Sequence, residues 1–335
     1  MLVNVGKLMS HTSTKGGGGV KHPFNPSLVD AWFMSGLSNS DKPGSITGVK
    51  GNEIVLRNFA YALNSGFGKY EVDFTKYTRS NTSRNSISMH KEAGIDKGYA
   101  TIFYSSLTSN IPSYSIEIKG LASGQVLYYY RDNEGLEKNI SYNKDGIYTL
   151  PLCYKEGTSG TSAGFTINTV DAVTITQLPT AYEGALVFDG VDDYGICTGL
   201  PILDDYTVIC RRVIENDTNV VASKSIVAGN GAFIFEYANN ATYSFSEYTY
   251  GLNMNLKDSV SYQTKNSYNG SVITVGTAND TDTLTLGIIR EKDSRLLKGA
   301  IYYFALYNKS LTPEEVEEEK VKLENYWEGG KNELA

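Results

Sequence analysis

The stretch Gly184-Ala185-Leu186-Val187-Phe188-Asp189-Gly190-Val191-Asp192-Asp193-Tyr194-Gly195-Ile196-Cys197 constrains this chain more than any other. An apolar run, Ala185 to Phe188, meets an acidic turn that carries a glycine, and a second short run leaves through Tyr194 and Ile196. Asp-Gly between two apolar runs predicts a β-hairpin, because tight turns need a residue that accepts positive φ. Its loop would be Asp189 to Asp192. Composition points the same way. Tyrosine is the outlier, 25 against 12 Phe and 2 Trp, and Tyr suits half-buried strands and surfaces that meet sugars or proteins.

The wording of the turn resembles the "L-x-F-D-G-x-D-D-Y" signature of laminin-G-like, concanavalin A-like jelly rolls, in which two antiparallel sheets stack face to face. The resemblance extends to Leu28-Val29-Asp30-Ala31-Trp32-Phe33 and, after a polar bend, Gly51-Asn52-Glu53-Ile54-Val55-Leu56, which are similar to that family's "W-x-F" and "G-N-x-x-x-L" strands. Beyond the turn, Tyr206 to Cys210, Val221-Ala222-Ser223-Lys224, Leu284-Thr285-Leu286-Gly287 and Leu297 to Asn308 are similar to its later strands. Two departures stand out: Arg211 lies near the family's tryptophan, and Tyr303-Phe304 replaces an acidic pair, so no role of those acids carries over.

In the family the acidic turn follows the "G-N" strand closely; here more than a hundred residues intervene. Residues 69–180 have a strand pattern of their own: Tyr114 to Lys119 alternates, Gln125 to Tyr130 does so loosely, and Gly146 to Leu150, Phe165 to Ile167 and Val173 to Thr176 follow. Short strands separated by Gly/Asn/Asp/Ser turns suggest an antiparallel sandwich, and the segment is long enough for its own core. The expected fold is therefore all-β: a discontinuous concanavalin A-like jelly roll over 27–68 and 181–330, a smaller β-sandwich inserted at 69–180, an N-terminal arm over 1–26, and a short C-terminal helix. Thr312-Pro313-Glu314-Glu315 predicts the helix start, with Thr312 as N-cap, Pro313 at the first position and Glu315 completing a capping box. Val316, Leu323 and Trp327 would face the core, Glu318 and Lys322 would pair, and Gly329-Gly330 would end it.

A formal net charge of −7 argues against nucleic acid as a partner, since phosphate binding needs a basic face. No apolar run nears the roughly eighteen residues of a membrane span, so no membrane insertion is expected. Met1 to Val20 are polar and glycine-rich, without the apolar core of a secretory signal. Gly16 to Gly19 would form a joint, and Val20-Lys21-His22 stands where a phosphate loop would need Gly-Lys-Ser/Thr. Cys153, Cys197 and Cys210 are an odd count at no metal spacing and read as small buried hydrophobes.

Candidate chemistry is sparse. Asp189, Asp192 and Asp193 offer carboxylates to Ca2+, but no second acidic cluster completes its six to eight oxygens. The plainer expectation is that they cap the turn, with no cofactor bound. Retaining glycosidases of this fold place carboxylates as E-x-D-x-x-E on one strand. Here Glu71-Val72-Asp73-Phe74-Thr75-Lys76 ends in lysine. His11, His22 and His90 are the only histidines, so a Ser-His-Asp arrangement would rest on a loop residue, His90. The expectation is therefore a non-enzyme. Tyr237, Tyr243, Tyr248 and Tyr250 crowd together with Asn239 and Asn240. Aromatic faces beside amides suit sugar rings, against the alternative that such tyrosines fill a sandwich core.

The expectation for function is a virion structural or adhesive protein of a bacteriophage: a fibre, appendage or decoration component. It would be attached to other virion proteins through the arm, homo-oligomeric in the assembly, and in contact with host surface glycans. The layout resembles virion-associated jelly-roll proteins. A bacterial surface lectin-like protein is the alternative, and a glycoside hydrolase ranks below both.

Overall fold

The ten-residue strand Lys298–Tyr307 is buried from Gly299 to its end. Such a run occurs where a strand is covered on both faces, and its near-continuous apolar wording has that cause. A computed structural model of the chain describes residues 23–76, 81–82, 85–89, 100–103, 109–155, 163–169, 171–215, 220–227, 230–237, 241–244, 247–249, 258–273, 280–289 and 295–332. One edge of Lys298–Tyr307 pairs antiparallel with Thr207–Ile214. Its other edge is shared between two segments far apart in sequence. Leu28–Phe33 takes one half, with Trp32 opposite Phe304, and Ala181–Asp189 takes the other, with Leu186 opposite Ile301.

The chain divides into two compact units. The first comprises residues up to Ser38, Pro43–Phe59 and Gly184 onward. It contains two antiparallel sheets. One continues from Thr207–Ile214 through Ser259–Thr264 to the short strands Ser267–Tyr268 and Ser271–Val272. The other runs in the order Ser45–Thr47, Glu53–Arg57, Tyr194–Cys197, Leu284–Leu286, Val220–Val227, Asn230–Tyr237, Ala241–Ser244, Glu247–Thr249. The two sheets share one buried interior. The Tyr206 ring, at the start of Thr207–Ile214, lies 5.0 Å from Phe233, and Phe235 lies 6.4 Å from Tyr268.

The outer face of the first sheet is covered by the helix Pro313–Asn332. Val316, Leu323 and Trp327 are buried, and the indole Nε1 of Trp327 donates to the Gly184 carbonyl at 2.9 Å. The capping box is formed: Thr312 N donates to Glu315 Oε2 at 2.9 Å, and Glu315 N to Thr312 Oγ1 at 3.3 Å. Buried Glu319 accepts from the Tyr307 hydroxyl, the Asn25 N–H and Lys322 Nζ.

The second unit comprises Asn39–Lys42 and Ala60–Glu183. A four-stranded sheet (Glu137–Tyr142, Val126–Arg131, Gly164–Ile167, Ala100–Phe103) and a five-stranded one (Gly146–Leu150, Tyr114–Lys119, Val173–Gln177, Ser86–Met89, Asn81–Thr82) enclose a core of its own. Ile87, Ile116, Ile118 and Ile175 meet Phe74, Tyr128 and Phe165 there. Buried Gln177 ties the unit's first segment in, accepting from the N–H groups of Glu71 and Val72 and donating to the Val72 carbonyl.

All-β architecture with one C-terminal helix is therefore observed. Several details differ from expectation. The stretch 185–197 is not a hairpin: Ala181–Asp189 and Tyr194–Cys197 lie in different sheets of the first unit. Each already has strand partners, Lys298–Tyr307 for the former and Glu53–Arg57 with Leu284–Leu286 for the latter, so the turn carries the chain across the interior instead of back alongside itself. The breaks between units fall at 59/60 and 183/184, not at 68/69 and 180/181. Within residues 23–26, Phe24 is buried against Tyr326, ring centroids 5.6 Å apart, and Asn25 N donates to Glu319, so this part of the expected arm is docked on the first unit, with Pro23 and Pro26 exposed; residues 1–22 lie outside the described residues. Lys322 bonds Glu319 and not Glu318, and the helix passes through Gly329-Gly330 to Asn332.

Candidate functional site

The outer strands of the second sheet of the first unit carry the tyrosines singled out from sequence. Asn230–Tyr237, Ala241–Ser244 and Glu247–Thr249 are its last three strands in order. Register sets Tyr243 opposite Tyr248, and Tyr237 opposite Ala241. Tyr237, Tyr243 and Tyr248 thus fall on three neighbouring strands at one end of a sheet. Tyr250, Asn239 and Asn240 lie outside the described residues.

One step inward, the interior holds an ion pair. Arg212, on Thr207–Ile214, donates through Nε at 2.6 Å to Glu236 Oε2, on Asn230–Tyr237, and also bonds Glu236 Oε1 and Ser259 Oγ. The Tyr268 hydroxyl donates to Glu236 Oε1 at 2.6 Å. Arg212 and Glu236 are both 0% exposed, so the pair links the two sheets in an interior sealed from bulk solvent, where each charge depends on the other. Burial pushes the Tyr268 hydroxyl well above its ordinary range, and the Glu236 carboxylate adds to the shift. A second buried pair joins Lys224 to Asp280, with the Thr281 carbonyl also accepting from Nζ. Burial lowers the Lys224 amine against the effect of Asp280. Neither pair was expected, although Arg211-Arg212, Lys224 and Glu236, standing inside otherwise apolar strands, were the visible signal.

Arg211 faces the opposite way from its neighbour. Its guanidinium lies 4.5 Å from the Tyr302 ring centroid and 4.6 Å from that of Trp327. It grips Asp258 through two hydrogen bonds of 2.9 and 2.7 Å and Glu324 at 3.0 Å. This is a latch for the helix, and its groups are consumed by one another.

The acidic turn brings Asp189, Asp192 and Asp193 together, with one carboxylate oxygen from each within 4.8 Å of the others. Backbone donors already occupy two of these carboxylates. Asp193 Oδ2 accepts from Asp189 N at 3.0 Å, and Asp189 Oδ1 from Val191 N at 2.7 Å. Asp192 is exposed, and its carbonyl accepts from Asn58 Nδ2 at 2.9 Å. Two of the three carboxylates thus cap the backbone of the turn.

The E-x-D stretch is not a strand. Phe74–Lys76 is a 3-10 turn, and Asp73 Oδ1 caps it by accepting from the N–H and hydroxyl of Thr75. His90 lies outside the described residues. Of the Tyr128–Tyr130 run, Tyr128 is buried and stacks 5.8 Å from Tyr130, while Tyr129 and Tyr130 are half-buried. All three cysteines are buried and unbridged.

No protein-family model and no curated protein matches the chain. Among solved structures, a Trypanosoma rangeli sialidase in complex with the inhibitor DANA aligns over 81% of this chain and 67% of its own, at 10% identity and a TM-score of 0.26. That match is to an enzyme, and the expectation of a non-enzyme is corrected accordingly: it is withdrawn. At this TM-score the likeness assigns this chain neither an activity nor a fold family.

Proposed function

We propose that this protein is an adhesive structural component of a phage particle, and that its first unit is a concanavalin A-like jelly roll that meets host-surface glycans at its tyrosine-bearing sheet edge. The observation that supports the reading is the register of the outer strands, which gathers Tyr237, Tyr243 and Tyr248 on three adjacent strands, with Tyr243 directly opposite Tyr248. Aromatic groups grouped at a sheet edge, with a few polar neighbours, suit the apolar faces of pyranose rings. The family resemblance of the flanking strands and the shared interior of the two sheets support the jelly-roll assignment. The resemblance in layout to virion-associated proteins supports the particle; there, other virion proteins and further copies of the chain are its partners.

A glycan array probed with the whole chain tests the adhesive role. Binding that falls at least tenfold in Tyr243→Ala and Tyr248→Ala, with the unfolding transition unchanged, is the expected result. An array on which the unaltered chain binds nothing, or binding indifferent to both substitutions, would overturn it. Immunogold labelling of particles with antibody to the purified protein tests the location, and unlabelled particles would remove the virion assignment.

A further inference from the structure

The outer strands do not continue the sheet regularly. On its inner side Asn230–Tyr237 follows Val220–Val227 without a break from Phe233 to Tyr237: Lys224 is opposite Phe233, Ala222 opposite Phe235, and Val220 opposite Tyr237. On its outer side Ile234 is opposite Tyr243 and Tyr237 opposite Ala241. Three steps along one strand therefore meet two along the other, the count of a β-bulge. The extra residue falls at Phe235-Glu236, and Glu236 has φ 52, a left-handed conformation unusual for a residue with a side chain. Both Phe235 and Glu236 are fully buried. Strict alternation would send them to opposite faces. The bulge lets Glu236 reach Arg212 across the interior.

A left-handed, charged, buried residue in a strand persists only where its surroundings hold it. Here the holding groups are Arg212 on the facing sheet and the Tyr268 hydroxyl. The strand Ala241–Ser244 and its partner Glu247–Thr249 take their register from the bulged strand, so a one-residue slip there would exchange the face on which every following side chain stands. We propose that Glu236, held by Arg212, is the positioning residue that selects the bulged register of the outer strands and thereby decides which residues the sheet edge presents. The bearing of this on glycan binding rests on the edge function proposed above; the register itself does not.

Cross-linking measures the register without a ligand, because a disulfide needs two Cα atoms within about 7 Å and Cβ atoms on the same face of the sheet, and a one-residue offset puts the two Cβ atoms on opposite faces. In the otherwise unaltered chain, Ile234→Cys with Tyr243→Cys should oxidise readily and Ile234→Cys with Ser244→Cys should not. The native cysteines are buried and do not compete. Glu236→Gln removes the charge and keeps an oxygen for Tyr268, and Arg212→Met combined with Glu236→Gln leaves no unpaired charge. In both backgrounds the preference should reverse, with the 234/244 pair overtaking the 234/243 pair, while the tryptophan-monitored unfolding transition persists. An unchanged preference for 234/243 in both backgrounds would overturn the proposal. So would loss of the transition in both, which would make the pair a general support of the core. If the reversal occurs and glycan binding is absent throughout, the edge function fails and the register device stands.

Discussion

Arg211 and Arg212 are consecutive residues of one strand that serve opposite faces of the same sheet. Arg211 stacks under the C-terminal helix on Tyr302 and Trp327, and Arg212 crosses the interior to Glu236. Alternation along the strand separates them, and it gives the two guanidinium groups different energetics. The Arg211 side chain is 22% exposed with acidic partners near water, whereas Arg212 and Glu236 are both sealed.

Truncating the two should therefore cost different amounts. Arg212→Ala leaves the Glu236 carboxylate buried and uncompensated, and should destabilise the first unit by about 3–5 kcal/mol. Arg211→Ala loses ring stacking and half-exposed ion pairs, and should cost about 1–2 kcal/mol. Both tryptophans, Trp32 and Trp327, belong to the first unit, so urea unfolding followed by their fluorescence isolates its transition. Equal costs would contradict the assignment.

Gly287 and Phe188 form a second sensitive contact. Gly287 has φ 76, and a Cβ there would lie 2.4 Å from the Phe188 ring. Gly287→Ala meets both penalties and should destabilise by about 1–3 kcal/mol. Gly51→Ala, also at positive φ but with nothing within 4 Å, isolates the backbone cost and should be the milder change in the same assay.

At the acidic turn, Asp193→Ala removes the acceptor for Asp189 N–H and should cost about 1–3 kcal/mol. The loss should be the same in excess Ca2+ and in EDTA, because the carboxylate caps backbone. A melting temperature of the unaltered chain that rises with Ca2+, and stops rising in Asp193→Ala, would show instead that the turn holds the ion.

The helix cap gives a pH dependence of defined sign. The Lys309 ammonium, 2.8 Å from Glu315, and the Thr312 N–H hold the Glu315 carboxyl below its usual range. A depressed carboxyl contributes stability that is complete above its unfolded pKa and is lost as pH falls through the folded one, so the contribution should fade below about pH 5. Exposure to water keeps it small. In melts taken from neutral pH downward, Glu315→Gln should be less stable than the parent near pH 7 and converge with it in acid. A difference that persists at the lowest pH would rule the cap out as its source.

Local signals in the chain were short-range and chemical, and those were legible. Pro313 and the Thr312/Glu315 pair announce a helix start because they satisfy backbone groups within one turn. Alternation at Tyr114 to Lys119 announces a strand with one face buried, and the interruption between Leu56 and Gly184 marks the place of a second unit. The tyrosine cluster was visible as wording, but its arrangement across three strands was not.

What the residues alone determined, then, is the all-β character, the two-part organisation, the capped helix and the burial of the cysteines, since each follows from composition or from neighbours a few positions away. Tertiary structure decided the rest. The acidic turn could close a hairpin or carry the chain between sheets, and the strand edges already taken by Lys298–Tyr307, Glu53–Arg57 and Leu284–Leu286 made it a crossing. Likewise nothing near Glu236 in sequence predicts a left-handed bulge; its partner Arg212 is 24 residues away and reaches it only once two sheets have closed over a space that excludes water.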